Sequence, residues 1–560
     1  MLNTSTEKTI AKLLYLGVPA VSLLVTGFMS YDPVNVGKMV VAVGIGFSIL
    51  ALVIKSSLKE IWRYQRAVSV ALLFFFVFGL ISILTSAAPI EQNLFGVFGR
   101  NTGFLTYLGL AGILLGATLL RSINSFEKLT KGLIVAGLAN VFFCALELAG
   151  YNLFGFNNVY NNILGTFGNP NFISSFLGIF IAALLAYVSA PGVSLWIRLV
   201  ATMIIGLAFY EIVDSNSIQG IVVTILGFAI VGYFLVRAHL KSLVYQVVYV
   251  ALALTGAGLS VAGALQVGPL TQYIYKTSVS LRGEYWSAGI KMGLDHPFNG
   301  VGFDTYGDWY RRARSESAMV LPGPSVVTNS AHNVNIDIFS YGGFPLLIAY
   351  LTLIALAAGA IVRVINRTSG YDKYFYPLAT AWICYQAQAM ISINQIGLAV
   401  WGWALTGAVI GYERVTRFDV KQTKIPTKVQ TGKSHSSDAP TTTYLISVLG
   451  LVIGIIISFP AFLADSKWRS ALRSGSAENV MAISKAWPMD SFKLANTSIL
   501  FEQNKLHEQA REVAVELIKF NPEYFDGWKI LSDLSASSVE EKSRAKVNLH
   551  QLDPRNVEIK

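Results

Sequence analysis

The chain has 560 residues and a formal net charge of +11, with 53% hydrophobic and only 13% charged residues. Soluble domains carry about 25% charged residues, so this composition excludes an ordinary soluble protein and indicates that lipid surrounds most of the chain. Its two cysteines, Cys144 and Cys384, both lie inside apolar stretches, which argues against a disulfide framework and a cysteine-based metal site.

Apolar stretches of about 18–22 residues recur along the chain, and a helix of this length crosses about 30 Å of hydrocarbon. Thirteen spans are predicted, near residues 11–29, 36–54, 67–86, 103–120, 132–150, 172–190, 199–213, 218–236, 243–265, 342–362, 375–393, 396–412 and 442–463. No small-residue cleavage site follows the first stretch, so we interpret it as a retained anchor rather than a signal peptide. The predicted fold class is all-α, a polytopic transmembrane helix bundle with about 12–13 spans.

Basic residues concentrate in the loops on one side of this predicted bundle. They are Lys55, Lys59, Arg63, Arg66, Arg121, Lys128, Lys131, Arg198, Arg237, Lys241, Arg363, Arg367, Lys373, Arg414, Arg417, Lys421, Lys424, Lys428 and Lys433. The short loops on the other side carry little that is basic besides Arg100. Because cytoplasmic loops are enriched in Lys and Arg, this asymmetry places the N-terminus in the cytoplasm. The net charge therefore reflects topology, and no nucleic-acid partner is expected.

The domain organisation follows from the polar segments between the spans. Residues 1–415 form the predicted membrane domain, with a large extracytoplasmic loop at about 266–341. A cytoplasmic linker rich in Lys, Thr, Ser and Pro at 416–441 precedes the last span at 442–463. Residues 464–560 are predicted to be an extracytoplasmic helical domain.

The C-terminal segment carries a weak internal repeat. Pro488, Pro522 and Pro554 follow one another at intervals of 34 and 32 residues, and a period near 34 is typical of tetratricopeptide-type helix pairs. The residues that would alternate in the packing of such pairs are Ala510, Ala514, Trp528 and Leu531. We favour a tetratricopeptide-like domain over a generic helical hairpin domain. Helical repeats present concave surfaces, so this domain is expected to dock a partner, either a protein or a molecule on which the membrane domain acts.

The predicted large loop contains a cluster of basic and aromatic residues. Arg282, Tyr285 and Trp286 open a stretch that ends at the turn signal running from Asp295 to Gly302, where a helix is expected to stop. Aromatic side chains suit sugar recognition, although aromatics at a membrane boundary are usually belt residues. A second basic cluster, Arg311–Arg314, follows.

A polar run from Asn329 to Asp337 leads directly into the tenth predicted span. With Ser330 as the N-cap, His332 would lie in the first turn of that helix. A helix N-terminus, a histidine and nearby guanidinium groups together suit a phosphate-bearing substrate, and histidine is the commonest general base. A single loop histidine is more often structural, so these residues alone leave the role of His332 open.

Together these motifs resemble the O-antigen ligase and polymerase superfamily, the membrane glycan transferases of bacterial surface polysaccharide assembly. The resemblance covers roughly residues 10–415. It rests on the Phe98–Gly103 loop, the Gly168–Phe172 loop, Arg282 with Trp286, the Asp295–Gly302 turn, and Ala331–Asn333 at the start of a span. We therefore expect a multi-pass protein of a bacterial plasma (inner) membrane. Helical tails of this kind are also familiar in the superfamily.

The resemblance implies a donor glycan that is carried on the membrane lipid undecaprenyl pyrophosphate. It also implies a direct displacement at the anomeric carbon of that glycan. In this reaction Arg282 would bind the pyrophosphate leaving group and His332 would deprotonate the acceptor hydroxyl. No cofactor and no metal are implied, because the pyrophosphate bond supplies the energy and a guanidinium can stabilise the developing charge.

The chain departs from the family pattern near the outer end of the eighth predicted span. Many ligases carry a Ser-Arg pair there, whereas residues 214–220 read Asp-Ser-Asn-Ser-Ile-Gln-Gly. Arg100 or the Arg311–Arg314 cluster would supply the missing charge, or Gln219 would donate a neutral hydrogen bond. The predicted substrate-binding residues are Arg100, Asn169, Asn171, Gln219, Tyr285, Trp286, Arg311, Arg312, Asn333 and Asp337.

The predicted function is transfer of the lipid-linked glycan to another glycan, a lipid core or a protein hydroxyl on the outer face of the membrane. A polysaccharide polymerase and a protein O-oligosaccharyltransferase are alternatives within this class. A lipid-glycan transporter or flippase is the alternative from another class, but transporters place their polar sites near the bilayer midplane. Here the polar signals collect in the loops. A non-catalytic scaffold would leave Arg282 and His332 unexplained.

Overall fold

The computed structural model describes residues 4–56, 58–155, 158–240, 242–264, 267–269, 271, 281–422 and 440–559. These residues form 22 α-helices and two short 3₁₀-helices, and they contain no β-strand. Parts of the predicted large loop (272–280) and of the predicted linker (423–439) lie outside the described residues. The prediction of an all-α fold is confirmed.

The helices fall into four groups along the chain. The first group is α1 (Thr4–Leu23), α2 (Asn35–Ser56), α3 (Leu58–Thr85), α4 (Ile90–Phe95), α5 (Phe104–Thr118), α6 (Ile123–Leu148), α7 (Pro170–Val188), α8 (Leu195–Asp214), α9 (Ile218–Leu240) and α10 (Leu243–Ala264). The large loop holds α11 (Arg282–Asp295), α12 (Tyr306–Ala313) and α13 (Ser317–Val320). Next come α14 (Val334–Arg367), α15 (Phe375–Ala389), α16 (Ile396–Gln422) and α17 (Pro440–Ser474). The C-terminal domain contains α18 (Ala477–Ser484), α19 (Ser491–Gln503), α20 (His507–Phe520), α21 (Phe525–Asp533) and α22 (Val539–Leu552).

Nine helices of the described part of the chain are long and apolar enough to cross a membrane: α2, α3, α6–α10, α14 and α17. Every one of the thirteen predicted spans falls on a helix, but four do not meet both criteria. Helix α1 carries Glu7, Lys8 and Lys12, α5 and α15 have 15 residues each, and α16 becomes charged from Glu413 onward. The count by length and apolarity is therefore nine rather than thirteen.

The helices that lie furthest from the core expose large apolar side chains. Leu195 and Trp196 on α8 are 72% and 73% exposed, and Leu243 and Leu252 on α10 are 72% and 68% exposed. In water such surfaces would mark an interface. On a polytopic bundle they form the surface that faces lipid, and the chain is a multi-pass membrane protein.

The core of the bundle is built on close contact between α2 and α5. A Cβ atom on Gly46 would lie 2.2 Å from the carbonyl oxygen of Gly109, and one on Gly112 would lie 2.4 Å from the carbonyl oxygen of Gly46. Only glycine allows backbones to approach so closely, as at small-residue crossings of membrane helices. This crossing fixes the loop at 96–102, which immediately precedes α5.

Helix α14 is interrupted at Gly342 and Gly343, and the Asp295–Gly302 turn fits into the interruption. The break frees the carbonyls of Ser340 and Tyr341, which accept hydrogen bonds from the amides of Val301 (2.9 Å) and Gly302 (3.2 Å). Buried carbonyls require such partners. The turn, which carried part of the family resemblance, is therefore a structural joint between the large loop and α14.

Helices α11 and α14 pack side by side and run parallel. A Cβ atom on Gly289 would lie 2.5 Å from Ile336, and one on Gly293 would lie 2.4 Å from Phe339, so contacts advance along both helices together. Parallel packing brings the two N-terminal ends to the same place, and these ends carry Arg282 and His332.

The C-terminal domain is a small helical unit with its own core. Ala510, Ala514, Trp528 and Leu531 are between 0% and 2% exposed, as expected for packing residues. Helices α19, α20 and α22 have 13 or 14 residues, a length compatible with tetratricopeptide pairs, but the tetratricopeptide identity stays a prediction. Helix α16 continues to Gln422, beyond the predicted start of the linker at 416.

The C-terminal domain docks onto the large loop through a buried ion pair. The Arg314 guanidinium donates to both carboxylate oxygens of Asp553 at 2.8 and 2.6 Å, and neither side chain is exposed. The rings of Phe98 and Phe492 also stack across this interface with their centroids 4.3 Å apart. The domain, the large loop and the 96–102 loop therefore lie at one end of the bundle.

Candidate functional site

A cavity of about 480 Å³ lies where these three segments meet. Its size falls in the usual range of small-molecule sites. The 96–102 loop contributes Arg100 and Asn101, the large loop contributes Asn329 and His332, and the C-terminal domain closes the opposite side. Arg100 and His332, two of the predicted site residues, thus share one cavity.

The backbone at His332 is held in a left-handed conformation just before α14. Its φ is +56°, so His332 cannot be part of the helix, and the helix starts at Val334 with Asn333 as its N-cap. The Asn333 side chain accepts from the amides of Asn335 (3.0 Å) and Ile336 (3.4 Å). The expectation that Ser330 caps this helix, with His332 in its first turn, is therefore wrong.

Asp337 positions the turn that presents His332. The Ser330 hydroxyl and the Ala331 amide each donate to the Asp337 carboxylate at 2.7 Å, and the His332 amide donates to the Ser330 hydroxyl at 3.0 Å. Ser330 thus links the His332 backbone to Asp337. Asp337, predicted to bind substrate, is instead a buried residue that supports the turn.

The His332 imidazole is partly buried and uncharged. Burial, with smaller effects from Arg100 and Arg282, lowers the pKa of His332 to about 3. Neither ring nitrogen has a hydrogen-bond partner among the described residues, and the ring packs against Tyr285 with centroids 5.7 Å apart. A neutral imidazole with a free nitrogen is the form that a general base requires.

Arg282 is a buried guanidinium without an anion. The residue is 8% exposed, and within the described chain its side chain has neither a hydrogen bond nor a carboxylate partner. Burial lowers its pKa to about 10, so it stays charged at neutral pH. Buried charges are normally paired, whereas the described residues leave the charge of Arg282 uncompensated.

Arg100 is the second guanidinium near His332, and Asp304 holds its loop in place. The Asp304 carboxylate accepts from the amides of Val97 (3.0 Å) and Thr102 (3.3 Å) and from the Thr102 hydroxyl (3.0 Å). Arg100 itself donates to the side chain of Asn329, while its Nε is buried with no partner in the described residues. Its charge is therefore only partly compensated.

Residues 201–351 match the family model described as O-antigen ligase. This segment, which is similar to an O-antigen ligase, is here called the O-antigen ligase domain. The match confirms the predicted resemblance to the O-antigen ligase and polymerase superfamily, whose members act on lipid-linked glycans and glycan acceptors in membranes. No curated protein matches the chain.

The O-antigen ligase domain contains the ends of α11 and α14 and therefore both Arg282 and His332. Arg100, Asn169 and Asn171 lie before the matched segment. The C-terminal domain lies after it. The cavity is consequently shared between the O-antigen ligase domain and two other parts of the chain.

The basic cluster of the O-antigen ligase domain faces the C-terminal domain. Arg311 lies 3.3 Å from Asp553, and its guanidinium stacks on the Phe525 ring 3.9 Å from the centroid. Arg312 pairs with Glu523. Arg311 and Arg312 were predicted to bind substrate, but the structure places them in ion pairs with the C-terminal domain, although Arg311 also lines the cavity.

The two aromatic residues predicted to bind substrate lie one helical turn after Arg282 on α11 and differ in their surroundings. Tyr285 packs on His332, and its carbonyl accepts from the Tyr306 hydroxyl at 2.6 Å. Trp286 lines a separate shallow groove on α11, and its indole N–H is buried with no partner among the described residues.

Asn169, Asn171 and Gln219 do not line the cavity. Asn169 caps α7 by accepting from the Asn171 amide at 2.9 Å, and the Asn171 side chain accepts from the Ser217 hydroxyl at 2.8 Å. The Gln219 amide donates to the carbonyl of Ile391 at 2.8 Å. These groups hold α7, α9 and the 390–395 loop together, and one of the two Gln219 amide hydrogens is engaged by the carbonyl of Ile391.

Sequence analysis missed the residues that support and complete the site. Asp304 lies two residues after Gly302, so the turn motif was a signal that could have pointed to it. The tail residues Asp490 and Tyr524 line the cavity, but no local motif marks them, because they join the site only through docking of the C-terminal domain.

Proposed function

We propose that this chain is a membrane glycosyltransferase that moves a glycan from undecaprenyl pyrophosphate to an acceptor hydroxyl on the outer face of a bacterial plasma membrane. In this topology the N-terminus is cytoplasmic, whereas the large loop and the C-terminal domain are extracytoplasmic. The distribution of basic loops supports that orientation. The observation that carries the proposal is the buried guanidinium of Arg282 close to the neutral imidazole of His332, neither of which has a hydrogen-bond or ion-pair partner among the described residues.

The two guanidinium groups suit a pyrophosphate. Arginine presents a planar set of donors that matches phosphate oxygens and keeps its charge when buried. Arg282 has no carboxylate partner among the described residues, and Arg100 hydrogen-bonds to a neutral partner, with longer-range fields from Asp304 and Asp337. A pyrophosphate would supply the negative charge that these side chains lack.

The reaction balances with these residues alone. The acceptor oxygen attacks the anomeric carbon while His332 takes its proton. The bond from that carbon to the pyrophosphate oxygen breaks, and undecaprenyl pyrophosphate leaves with the electron pair. Arg282 and Arg100 stabilise the charge on the leaving group, as fixed cations do in other transfer reactions. His332 then returns its proton to water.

The donor also prepares the base. A pKa of about 3 makes the imidazole neutral but weakly basic. Because opposite charges favour the protonated form of histidine, a bound pyrophosphate would offset Arg100 and Arg282 and raise the pKa of His332. The base thus gains strength only when the donor is in place.

The test is the state of the lipid-linked glycan in cells that carry His332→Ala at normal expression. Loss of a general base lowers turnover by about 100- to 10,000-fold. We expect long, polymerised glycan to remain on its lipid carrier, which indicates a ligase or a protein glycosyltransferase. Accumulation of single repeat units would instead indicate a polymerase.

The matched control is His550→Ala, which removes an exposed histidine on α22 far from the cavity lining. It should leave both the lipid-linked pool and the surface glycan at wild-type levels. If His332→Ala behaves in the same way while the protein is present at normal amounts, His332 is structural and the proposal is wrong.

A further inference from the structure

The wall of the cavity opposite His332 belongs to the C-terminal domain. Its aromatic side chains are Phe492, Phe520, Tyr524 and Phe525, and its acidic side chains are Asp490 and Asp526. Aromatic faces pack against the C–H faces of sugar rings, and a few fixed polar groups set orientation in such pockets. Phe492 stacks on Phe98 and Phe525 on Arg311, which leaves Phe520 and Tyr524 to supply the aromatic surface of a carbohydrate site.

The position of Arg282 separates two sides of His332. His332 lines the cavity, whereas Arg282 does not. A donor tethered to the bilayer must keep its pyrophosphate beside Arg282, at the level of the membrane helices. The acceptor hydroxyl must then reach the imidazole from the cavity, whose far wall is the C-terminal domain.

The cavity carries more negative than positive side chains. Its carboxylates are Asp32, Glu91, Asp308, Asp465, Asp490 and Asp526. Its cations are Arg100, Arg311 and Lys493. Like charges placed together cost free energy, so the cavity disfavours a phosphorylated or carboxylated occupant away from Arg100.

Two polar groups in the cavity are free to bind a ligand. Asn101 is 7% exposed, and its amide oxygen is buried without a partner in the described chain. The Tyr524 hydroxyl likewise makes no hydrogen bond to a described residue. The Asn101 amide oxygen accepts hydrogen bonds and the Tyr524 hydroxyl can donate one, and the two lie on opposite walls. This arrangement suits a molecule that carries several hydroxyl groups.

On these grounds, and resting on the proposed function, we propose that the cavity binds the acceptor as a neutral or amino-bearing oligosaccharide, with Tyr524 and Asp526 of the C-terminal domain as specificity-determining residues. Asn101 and Tyr524 hydrogen-bond to its hydroxyls, and the Asp526 carboxylate accepts from a hydroxyl or an ammonium group. The catalytic domain and the C-terminal domain thus form one acceptor site.

The experiment uses the full chain in detergent on an array of neutral, amino-bearing, and phosphorylated or carboxylated oligosaccharides. We expect neutral or amino-bearing glycans to bind both the wild type and Arg282→Gln, whereas binding of phosphorylated glycans at the donor site should be lost in Arg282→Gln. The double variant Tyr524→Phe with Asp526→Asn should lose about ten-fold or more in binding, since each hydrogen bond to a charged or polar group contributes about that order. Asp526 is about half exposed and lies 4.0 Å from Arg311, which keeps its shorter contact with Asp553, so this variant is expected to fold and stay docked.

The matched control is Asp533→Asn, an exposed carboxylate on the same helix as Asp526 that lies outside the cavity. It should bind the array like the wild type. The inference is overturned if anionic glycans bind best in Arg282→Gln, if no glycan binds, or if the double variant binds unchanged.

The two proposals fail in different ways. His332→Ala removes the base and its part of the lining but leaves the wall formed by the C-terminal domain in place, so it should still bind glycans on the array. Retained transfer in His332→Ala would overturn the proposed function whatever the array shows. Lost transfer in His332→Ala together with unchanged binding by the double variant would overturn only the acceptor site.

Discussion

Arg282 is costly to the folded protein unless a ligand pairs with it. An uncompensated charge in a buried position destabilises the fold, so we expect Arg282→Gln to lower transfer by about 100- to 1,000-fold while thermal stability stays equal or rises. The measurement is transfer from a lipid-linked donor by the purified chain, together with its melting temperature. Arg473→Gln, at an exposed position on α17, should change neither quantity, and full activity in Arg282→Gln would contradict the assignment.

His332 should give the enzyme an uncommon pH profile. The pKa of about 3 keeps the free enzyme's imidazole neutral throughout pH 5–8, so kcat/KM should show no acid limb from this residue there. In the donor complex the pKa is raised, and protonation below that value inactivates the base, so kcat should fall as the pH drops. The profile of kcat/KM reports the free enzyme and that of kcat reports the complex.

The variant Arg100→Gln provides the check on that profile. Arg100 lowers the pKa of His332, so its removal should raise that pKa in the free enzyme and move any acid limb of kcat/KM to higher pH. An acid limb near pH 6.5 in the wild-type kcat/KM that disappears in a His332 variant would contradict the role of burial.

The residues of the site could be predicted only where a local pattern marks them. Arg282 and His332 each stand in a motif, and both were found. The Ser330 cap was wrong because Asn333 is an equally good N-cap, and only the backbone at His332 decides between them. The turn motif points to the neighbourhood of Asp304 but not to its role, and no motif marks Asp553, since each acts on residues about 200 or more positions away.

At the scale of elements, the lengths of the apolar stretches predicted where helices occur but not the residues at which they begin and end. The predicted tenth span begins at 342, whereas α14 begins at Val334, because hydropathy detects only the part that faces lipid. The polar first turns remain helical since they pack against α11. The Gly-Gly pair at 342–343 looks like a helix start in the sequence, but it is an interior break that the Asp295–Gly302 turn fills.

That break predicts a large effect from a small substitution. Gly343 has a φ of +65°, and a Cβ atom there would lie 2.3 Å from the Pro297 carbonyl oxygen. We expect Gly343→Ala to destabilise the chain by about 1–3 kcal/mol and to lower transfer, because the joint sets α14 and its N-terminal histidine against the large loop. Thermal unfolding in detergent measures the first effect.

Gly283→Ala is the control, since this glycine lies in α11 with no atom within 4 Å of an added Cβ. Alanine favours helix by about 1 kcal/mol over glycine, so the control should be neutral or slightly stabilising. Equal stability of the two variants would show that the joint tolerates a side chain and does not fix the geometry.

At the scale of the whole molecule, the site exists only while the C-terminal domain stays docked. That domain supplies one wall of the cavity, and its attachment depends on arginines that the sequence had suggested for substrate. Arg314 and Asp553 are both fully buried, so their pairing is compensated inside the interface rather than by water. Breaking such a pair from one side costs about 3–5 kcal/mol.

We therefore expect Arg314→Met to loosen the docking, with a cost near the lower end of that range because Arg311 still lies 3.3 Å from Asp553. Hydrogen exchange should rise in residues 521–526 and 96–102, and transfer should fall although Arg282 and His332 are untouched. Lys529→Met, which removes an exposed ion pair with Asp533, should change neither the hydrogen exchange of these residues nor the rate of transfer. Wild-type transfer with faster exchange at the interface would mean that catalysis does not need the C-terminal wall, which would confine the acceptor site to the membrane domain.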